Sequence, residues 1–163
     1  MEQMLEDMEL LEDTHKDKYL TFTLGKEEYG IGIGYVTEIV GIQEITEVPE
    51  LPHYVKGIIN LRGKIIPVID ARLRFGKESK EYTDRNCTIV IEVKNVTIGL
   101  IVDAVTEVLS ISEENVVPLP RVNGYTNHKY IRGIGKVGNN VKLILDCDKL
   151  FSDDEMESLS NII

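Results

Sequence analysis

The stretch Tyr54-Val55-Lys56-Gly57-Ile58 returns 76 residues later as Tyr130-Ile131-Arg132-Gly133-Ile134. The match continues without a gap, so that Val68-Ile69-Asp70 pairs with Ile144-Leu145-Asp146 at the same offset. A repeat of this kind is typical of a duplicated supersecondary unit, in which each copy buries a face that it cannot cover alone.

A second stretch repeats at an offset of 69, where Val36-Thr37-Glu38-Ile39 corresponds to Val105-Thr106-Glu107-Val108. The seven residues that separate the two offsets fall around Arg121 to Asn127. Two offsets that differ by one loop insertion fit two copies of one unit, about 19–85 and 86–152, whose termini are free to cross over. An acidic tail, 1–18, precedes them.

β-Branched and aromatic residues dominate both copies and predict five short strands in each. The predicted strands are 19–24, 29–33, 36–42, 57–61 and 64–69, then 87–93, 96–102, 105–111, 131–137 and 141–145. Arg62-Gly63 and Asn139-Asn140 are the expected turns of two equivalent hairpins. Five short strands cannot form a flat sheet with protected edges, so we expect two small β-barrels around a shared hydrophobic core.

Short helices complete the predicted fold, which is mainly all-β. Asp70 is a plausible N-cap for a helix over 71–75 that Gly76 would end, and Asp146 would cap the matching turn. A C-terminal amphipathic helix is expected over 153–163, with Ser152 as its N-cap.

Charge is unevenly distributed along the chain. Of a formal net charge of −10, residues 1–18 and 153–163 carry −9, which leaves the body near −1. A nearly neutral body lacks the basic stripe that binds a phosphate backbone, so no nucleic acid is expected as a partner. No apolar run approaches the roughly 18 residues of a membrane span, and we expect a cytosolic protein with no direct membrane insertion.

Residues that carry chemistry are few and scattered. His15, His53 and His128 lack metal-ligand spacing, while Cys87 and Cys147 lie in strand-like runs typical of buried thiols. Neither a nucleotide-binding loop nor a nucleophile elbow is present. We therefore expect a binding protein without catalytic residues, metal or cofactor.

Asp70 and Asp146 supply the one enzymatic alternative. They occupy equivalent positions, and a small β-barrel enzyme using either carboxylate would need a polar pocket and perturbed carboxylate pKa values. Helix capping explains both residues equally well.

The places where the copies differ are candidates for function. Arg62 corresponds to Gly138, so a hairpin of this shape does not require a guanidinium, whose fork of donors suits carboxylates. Glu38 corresponds to Glu107 and is not special to one copy. Ile33, Val36 and Ile39 fit either the core or an exposed apolar strip that marks a partner groove.

The run from Tyr54 to Asp70, YVKGIINLRGKIIPVID, closely resembles the signature of the CheW family of chemotaxis coupling proteins. The stretches 29–49 and 88–109 resemble that family in the same order and at similar spacing, and the resemblance covers about 19–151. It implies two five-stranded, SH3-like barrels and a non-catalytic adaptor without a cofactor. The regulatory domain of the kinase CheA and the coupling part of CheV share this fold, but the length leaves no room for a kinase or receiver domain.

The partners implied by the resemblance are the histidine kinase CheA, through its regulatory domain, and the cytoplasmic helical-hairpin tips of chemoreceptors. Such an adaptor is cytoplasmic and recruited to membrane-associated receptor arrays. Residue by residue, the family's receptor surface corresponds to Ile33, Val36, Glu38, Ile39, Arg62, Val105 and Val108. Gly57 and Gly63 match positions that contact a partner or shape the hairpin, and kinase contacts stay unassigned.

Overall fold

A computed structural model describes residues 16–119 and 129–162. The expected tail up to His15, the extra residues around 121–127, His128 and Ile163 lie outside the described residues. The described chain forms β-strands and two α-helices. In chain order they are β1 Lys18–Leu24, β2 Glu27–Gly32, β3 Val36–Gly41, β4 Val55–Leu61, β5 Lys64–Asp70, α1 Ala71–Arg74, β6 Cys87–Val93, β7 Val96–Val102, β8 Ala104–Ser110, β9 Val116–Val117, β10 Ile131–Val137, β11 Asn140–Leu145 and α2 Asp153–Asn161.

Each of the two sheets combines strands from both copies of the repeat. Sheet 1 has the order β3-β6-β7-β5-β4, and sheet 2 has the order β8-β1-β2-β11-β10-β9. Apart from β9, the strands of the two orders correspond, since β3 matches β8, β6 matches β1, and β7 matches β2. The first two strands of each copy have therefore changed places, which is the crossing of termini that the repeat left open.

The two offsets of the repeat meet at the one parallel pair in each sheet. Val68 of β5 lies opposite Gly99 of β7, and Ile144 of β11 lies opposite Gly30 of β2. Val68 and Ile144 are related by the offset of 76, while Gly30 and Gly99 are related by the offset of 69. The parallel pair thus joins the two repeated stretches into one unit, twice.

Each sheet closes on itself because the chain that leaves one edge pairs with the other edge. In sheet 1, Thr46 follows β3 and exchanges two backbone hydrogen bonds of 2.9 Å with Ile58 of β4. In sheet 2, β9 follows β8 and pairs with β10, with Val117 opposite Ile134. Closure leaves few unpaired edge groups, and we call the closed sheets barrel 1 and barrel 2.

Two equivalent glycines permit this closure. A Cβ on Gly57 would lie 2.2 Å from the carbonyl oxygen of Thr46, and a Cβ on Gly133 would lie 2.7 Å from that of Val117. Gly57 also has φ +149°, a conformation that residues with a side chain rarely adopt. The close approach of two backbones therefore explains why the repeated Lys/Arg-Gly-Ile sequence has glycine at its centre.

The hydrophobic core consists of one cluster that both barrels share and two smaller clusters, one within each barrel. The shared cluster joins residues of both barrels, among them Phe22, Ile31, Ile89 and Leu100, all fully buried. Barrel 1 has its own cluster around Ile66, and barrel 2 a smaller one around Ile144. The predicted fold class, two small barrels around a shared core with a C-terminal helix, is confirmed.

The helix ends agree with the sequence in two places and differ in one. Asp70 caps α1 by accepting hydrogen bonds from the backbone N–H groups of Arg72 and Leu73, and Gly76 follows with φ +79°. Ser152 and Glu155 form a reciprocal capping box at the start of α2. The prediction that Asp146 caps the matching turn is wrong, because its side chain makes no capping hydrogen bond there.

Two further corrections concern the second copy. The hairpin turn between β10 and β11 is Gly138-Asn139, one residue earlier than expected, since Val137 pairs with Asn140. Glycine takes the first turn position because φ there is +59°. The two-residue strand β9 was not predicted, because a pair of valines carries no alternation signal.

Candidate partner-binding surface

The side chains of Arg62 and Glu38, two residues of the predicted surface, form an ion pair. Glu38 lies on β3 and Arg62 at the turn between β4 and β5, so the pair spans the seam at which barrel 1 closes. The Arg62 side chain is 68% exposed and that of Glu38 is 32% exposed. Because a guanidinium has five N–H donors, Arg62 retains donors that face solvent.

The turn that carries Arg62 has the positive φ values of a type I′ hairpin turn. Both of its central residues have positive φ, 52° for Arg62 and 89° for Gly63. The Asn60 side-chain oxygen accepts a 2.8 Å hydrogen bond from the Gly63 N–H. On the following residue, the Lys64 ammonium donates to the Thr97 hydroxyl at 3.0 Å. The tip therefore presents two cations, Arg62 and Lys64, on a fixed frame.

Three apolar residues of the predicted surface are half-buried against the shared core. They are Ile33, Val36 and Val105. Ile33 begins a 3₁₀ turn that leads into β3, and Val105 lies near the start of β8. In the structure, all three residues pack against the core cluster that both barrels share. For Ile33 and Val36, the sequence left two alternatives open, the core and an exposed groove. Their half-buried positions lie between these two alternatives.

Ile39 and Val108 are different, because they are exposed large hydrophobic residues. Ile39 is 43% exposed and Val108 is 52% exposed. The two residues are equivalent in the repeat and lie on equivalent edge strands, Ile39 opposite Ile89 of β6 and Val108 opposite Leu20 of β1. Both barrels therefore expose an apolar side chain at the equivalent position of the equivalent strand.

Asp70 is one of the two carboxylates, with Asp146, that the enzymatic alternative would use. It is 1% exposed, and both of its carboxylate oxygens have structural partners. One oxygen caps α1, and the other accepts a 2.8 Å hydrogen bond from the Tyr82 hydroxyl. A polar cavity of about 360 Å³ adjoins it, with the Arg72–Asp103 ion pair in its wall.

That cavity does not have the arrangement of an active site. The Arg72 guanidinium binds both carboxylate oxygens of Asp103, at 2.7 and 2.5 Å, and holds the pKa of Asp103 below its usual value. Asp103 also accepts a 2.7 Å hydrogen bond from the Gly25 N–H. The Asp146 side chain makes no capping hydrogen bond, and its carboxylate lies 4.0 Å from the Lys149 ammonium. Helix capping and ion pairing account for the buried carboxylates.

A cluster around Arg74, which the sequence did not reveal, fixes the C-terminal helix. The guanidinium lies 4.5 Å from the Tyr54 ring, 4.8 Å from the Tyr130 ring and 4.9 Å from the Phe151 ring. It donates to the Leu150 carbonyl and to both carboxylate oxygens of Glu155. Tyr54 and Tyr130 are the first residues of the repeated stretch, so the equivalent tyrosines of both copies contact Arg74.

Glu155 is the anionic partner of this cluster. Burial alone raises the pKa of its carboxyl, but hydrogen bonds from the Ser152 N–H, Arg74 and Tyr54 lower it to about 2. Burial and the hydrogen bond to Glu155 raise the pKa of Tyr54 to about 12. Both groups therefore keep one charge state across the physiological range.

Neither a metal-binding cluster nor a membrane-spanning helix occurs in residues 16–119 and 129–162. This part of the chain contains no group of three or more His, Cys, Asp and Glu side chains arranged to hold a metal ion. Among the same residues, no helix has the length and apolar character needed to cross a membrane.

The described part of the chain is a duplicated pair of closed β-barrels with exposed apolar residues and a surface ion pair, an arrangement suited to binding another protein. The comparisons with known proteins identify the family. A family model described as a CheW-like domain matches residues 18–155, and the chain belongs to the CheW family, which serves as an adaptor in chemotaxis signalling.

Individual relatives agree with this assignment. The chain is 36% identical over 150 residues to the chemotaxis protein CheW of Klebsiella aerogenes, covering 92% of this chain and 90% of the relative. It is 36% identical over 149 residues to CheW of Treponema pallidum, covering 88% and 86% of the two chains. The crystal structure of the scaffolding protein TtCheW from Thermoanaerobacter tengcongensis superposes with a TM-score of 0.77 at 39% identity, covering 85% of this chain and 94% of that one. Membership of this scaffold family bears out the expectation of a non-catalytic protein and removes the enzymatic alternative.

Proposed function

We propose that this protein couples the histidine kinase CheA, through its regulatory domain, to the cytoplasmic helical-hairpin tips of chemoreceptors. The observation that carries the proposal is the pair of exposed apolar residues, Ile39 and Val108, on equivalent edge strands of a CheW-family chain. The protein would act in the cytoplasm and be recruited to receptor arrays. No reaction is involved, since the adaptor works by holding two partners in a fixed geometry.

The receptor surface in this proposal consists of the residues that the family resemblance implied. A helical hairpin binds through an apolar stripe, and Ile39 with Val108 would supply the exposed apolar contacts. Ile33, Val36 and Val105 are half-buried against the shared core and would offer the partner their remaining exposed surface. Gly57 and Gly63 contribute by shaping barrel closure and the hairpin turn.

The ion pair gives this surface a polar rim. Arg62 is exposed and keeps donors beyond those it uses on Glu38, so a partner carboxylate can bind without displacing Glu38. Charged contacts at a rim contribute mainly to register and association rate, while apolar anchors contribute most of the affinity. We therefore expect a moderate, exchangeable affinity.

An amide-resolved NMR titration tests the proposal. A receptor-tip fragment is added first, and the regulatory domain of the kinase is added to the complex afterwards. Shifts over Val36 to Ile39 and around Arg62, followed by a separate second patch, would support the adaptor. If adding either partner always released the other, simultaneous coupling would be wrong.

A matched set of variants sharpens that titration. Ile39→Ser and Val108→Ser each remove one exposed apolar side chain of the proposed surface, and each should weaken receptor-tip binding by about tenfold. Val141→Ser is the control, because Val141 is 58% exposed but lies outside the proposed surface, near the β10–β11 turn. Equal losses in all three variants would show that the exposed apolar residues act without site specificity.

A further inference from the structure

Arg62 occupies a backbone conformation that its side chain disfavours. Its φ of 52° lies in the left-handed region, which residues with a side chain rarely adopt. The equivalent residue of the second copy is Gly138, with φ +59° and no side chain. The fold can build this hairpin with glycine, so an arginine here is retained against a local cost.

Asn60 is the residue that stabilises this conformation. Its side-chain oxygen accepts the 2.8 Å hydrogen bond from the Gly63 N–H, which closes a ring around Arg62. The residue equivalent to Asn60 in the second copy is Lys136, whose side chain has no acceptor. The second hairpin carries no arginine and lacks this lock as well. Asn60 and Arg62 therefore occur together in one copy.

The direction of the Arg62 side chain depends on this turn. The guanidinium must cross the closing seam of barrel 1 to reach Glu38 on β3. A change in φ or ψ at either turn residue rotates the Cα–Cβ bond of Arg62 and moves the distal guanidinium much further than the backbone. A fixed turn is thus required for a fixed Arg62–Glu38 pair.

We propose that Asn60 is a positioning residue that sets the affinity of this corner for an acidic side chain of the partner. It acts through Arg62 and makes no contact with the partner itself. The inference rests on the proposed function, because it assumes that the Arg62 corner receives a carboxylate. Lys64, held by Thr97 on the same tip, supplies a second cation beside it.

A double-mutant cycle on the full chain tests the proposal, with the receptor-tip fragment as the probe. Asn60→Ala should weaken binding about threefold to tenfold, the range for one neutral hydrogen bond. In an Arg62→Ala background the same change should have no further effect. Asn60→Asp keeps the acceptor and should restore most of the affinity. Lys136→Ala, at the equivalent position of the second hairpin, is the matched control and should bind as the wild type does.

A second readout needs no partner and separates this inference from the proposed function. In the free protein, the Arg62 guanidinium NMR signals should shift in Asn60→Ala towards those of an unpaired arginine and should return in Asn60→Asp. Unchanged signals in Asn60→Ala, or an equal loss of binding with and without Arg62, would overturn the positioning role. If the wild type does not bind the fragment at all, the proposed function fails, while the guanidinium signals still decide the role of Asn60.

Discussion

The two barrels close in the same way and differ at one hairpin tip. In both, a glycine lets a crossing backbone approach, Gly57 beneath Thr46 and Gly133 beneath Val117. The tip of barrel 1 then carries Arg62 in a left-handed conformation, whereas barrel 2 carries Gly138. What the copies share serves closure and the core, and what they do not share is available for recognition. Substitutions at equivalent positions of the two barrels can test this division.

Closure should give the largest effect. Gly57→Ala places a Cβ 2.2 Å from a carbonyl oxygen at φ +149°, and backbone cannot move aside as a flexible side chain does. We expect a loss in the free energy of unfolding of about 4 kcal/mol or more, the range of severe steric substitutions. Chemical denaturation followed by circular dichroism measures it.

Gly133→Ala is the partner of that measurement. Its Cβ would lie 2.7 Å from the Val117 carbonyl oxygen, and its φ is outside the positive range. We expect a smaller loss, about 2 kcal/mol. A loss at Gly133 equal to or above that at Gly57 would show that the two barrels tolerate backbone movement differently from what the contacts indicate.

The two aspartates should differ in the same sense. Asp70→Ala removes a buried cap and leaves the Tyr82 hydroxyl and two backbone N–H groups without their acceptor, which should cost about 2–4 kcal/mol. Asp146→Ala removes a side chain that caps nothing and should cost under about 0.5 kcal/mol. Thermal unfolding of both variants checks this, and equal costs would contradict the assignment of the cap to Asp70 alone.

The two repeated tyrosines both lie against the Arg74 guanidinium, and Tyr54 also donates a hydrogen bond to Glu155, whose carboxyl predicts a pH effect. The pKa of Glu155 is lowered to about 2 from an ordinary value of 4.5. A depressed pKa contributes stability that is fully present above the unfolded value and is lost as pH falls through the folded one. We expect α2 to lose about 1–2 kcal/mol between about pH 4.5 and pH 2.

Glu155→Gln isolates that contribution. The variant should be less stable than the wild type at neutral pH, and the difference should shrink as the pH falls towards about 2. Hydrogen exchange at the α2 amides, read at several pH values, measures it locally. A difference that stays constant across this range would assign the stability of α2 to its apolar contacts through Met156 and Leu159.

Much of this fold was predictable because the signals are local or repeated. Strands 87–93 and 96–102 were predicted with the observed bounds, since continuous apolar runs ended at a polar turn. The exchange of β1 and β2 with β6 and β7 between barrels was not predictable, because the choice between two equivalent sheets depends on packing and not on pattern. The repeat made both pairings look the same.

The candidate site could be listed from the sequence as a set of residues, whose binding role stays a prediction, and its arrangement could not be predicted. Comparison of the copies singled out Arg62, but nothing in the sequence joins it to Glu38, 24 residues earlier. That contact exists because barrel 1 closes between β3 and β4. The contacts of Arg74 were not predictable for the same reason, because its three aromatic neighbours are distant in sequence. Asn60 carried a usable signal, an asparagine placed to accept from the turn of a hairpin.

The smallest effect on stability should come from two hairpin turns of barrel 1, those that carry Arg62 and Lys94. Of the two, the Arg62 turn belongs to the proposed surface. Arg62→Gly and Lys94→Gly each relieve a positive φ, 52° and 50°, and each removes an exposed ion pair, with Glu38 and Asp153 respectively. Relief of the strained φ and loss of a surface ion pair nearly cancel, so both variants should stay within about 0.5 kcal/mol of the wild type.

Partner binding should separate these two matched variants. Arg62→Gly, like Arg62→Ala, should weaken binding of the receptor-tip fragment by about fivefold to tenfold, no more than the loss of an apolar anchor, because Arg62 lies at the exposed rim of the proposed surface. Lys94→Gly should leave binding unchanged, because its turn lies outside the proposed surface. Isothermal titration calorimetry of both variants supplies the comparison. An unchanged dissociation constant for Arg62→Gly would mean that Arg62 serves only its ion pair with Glu38. The difference between the Arg62 and Gly138 turns would then concern the structure of barrel 1 and not recognition of a partner.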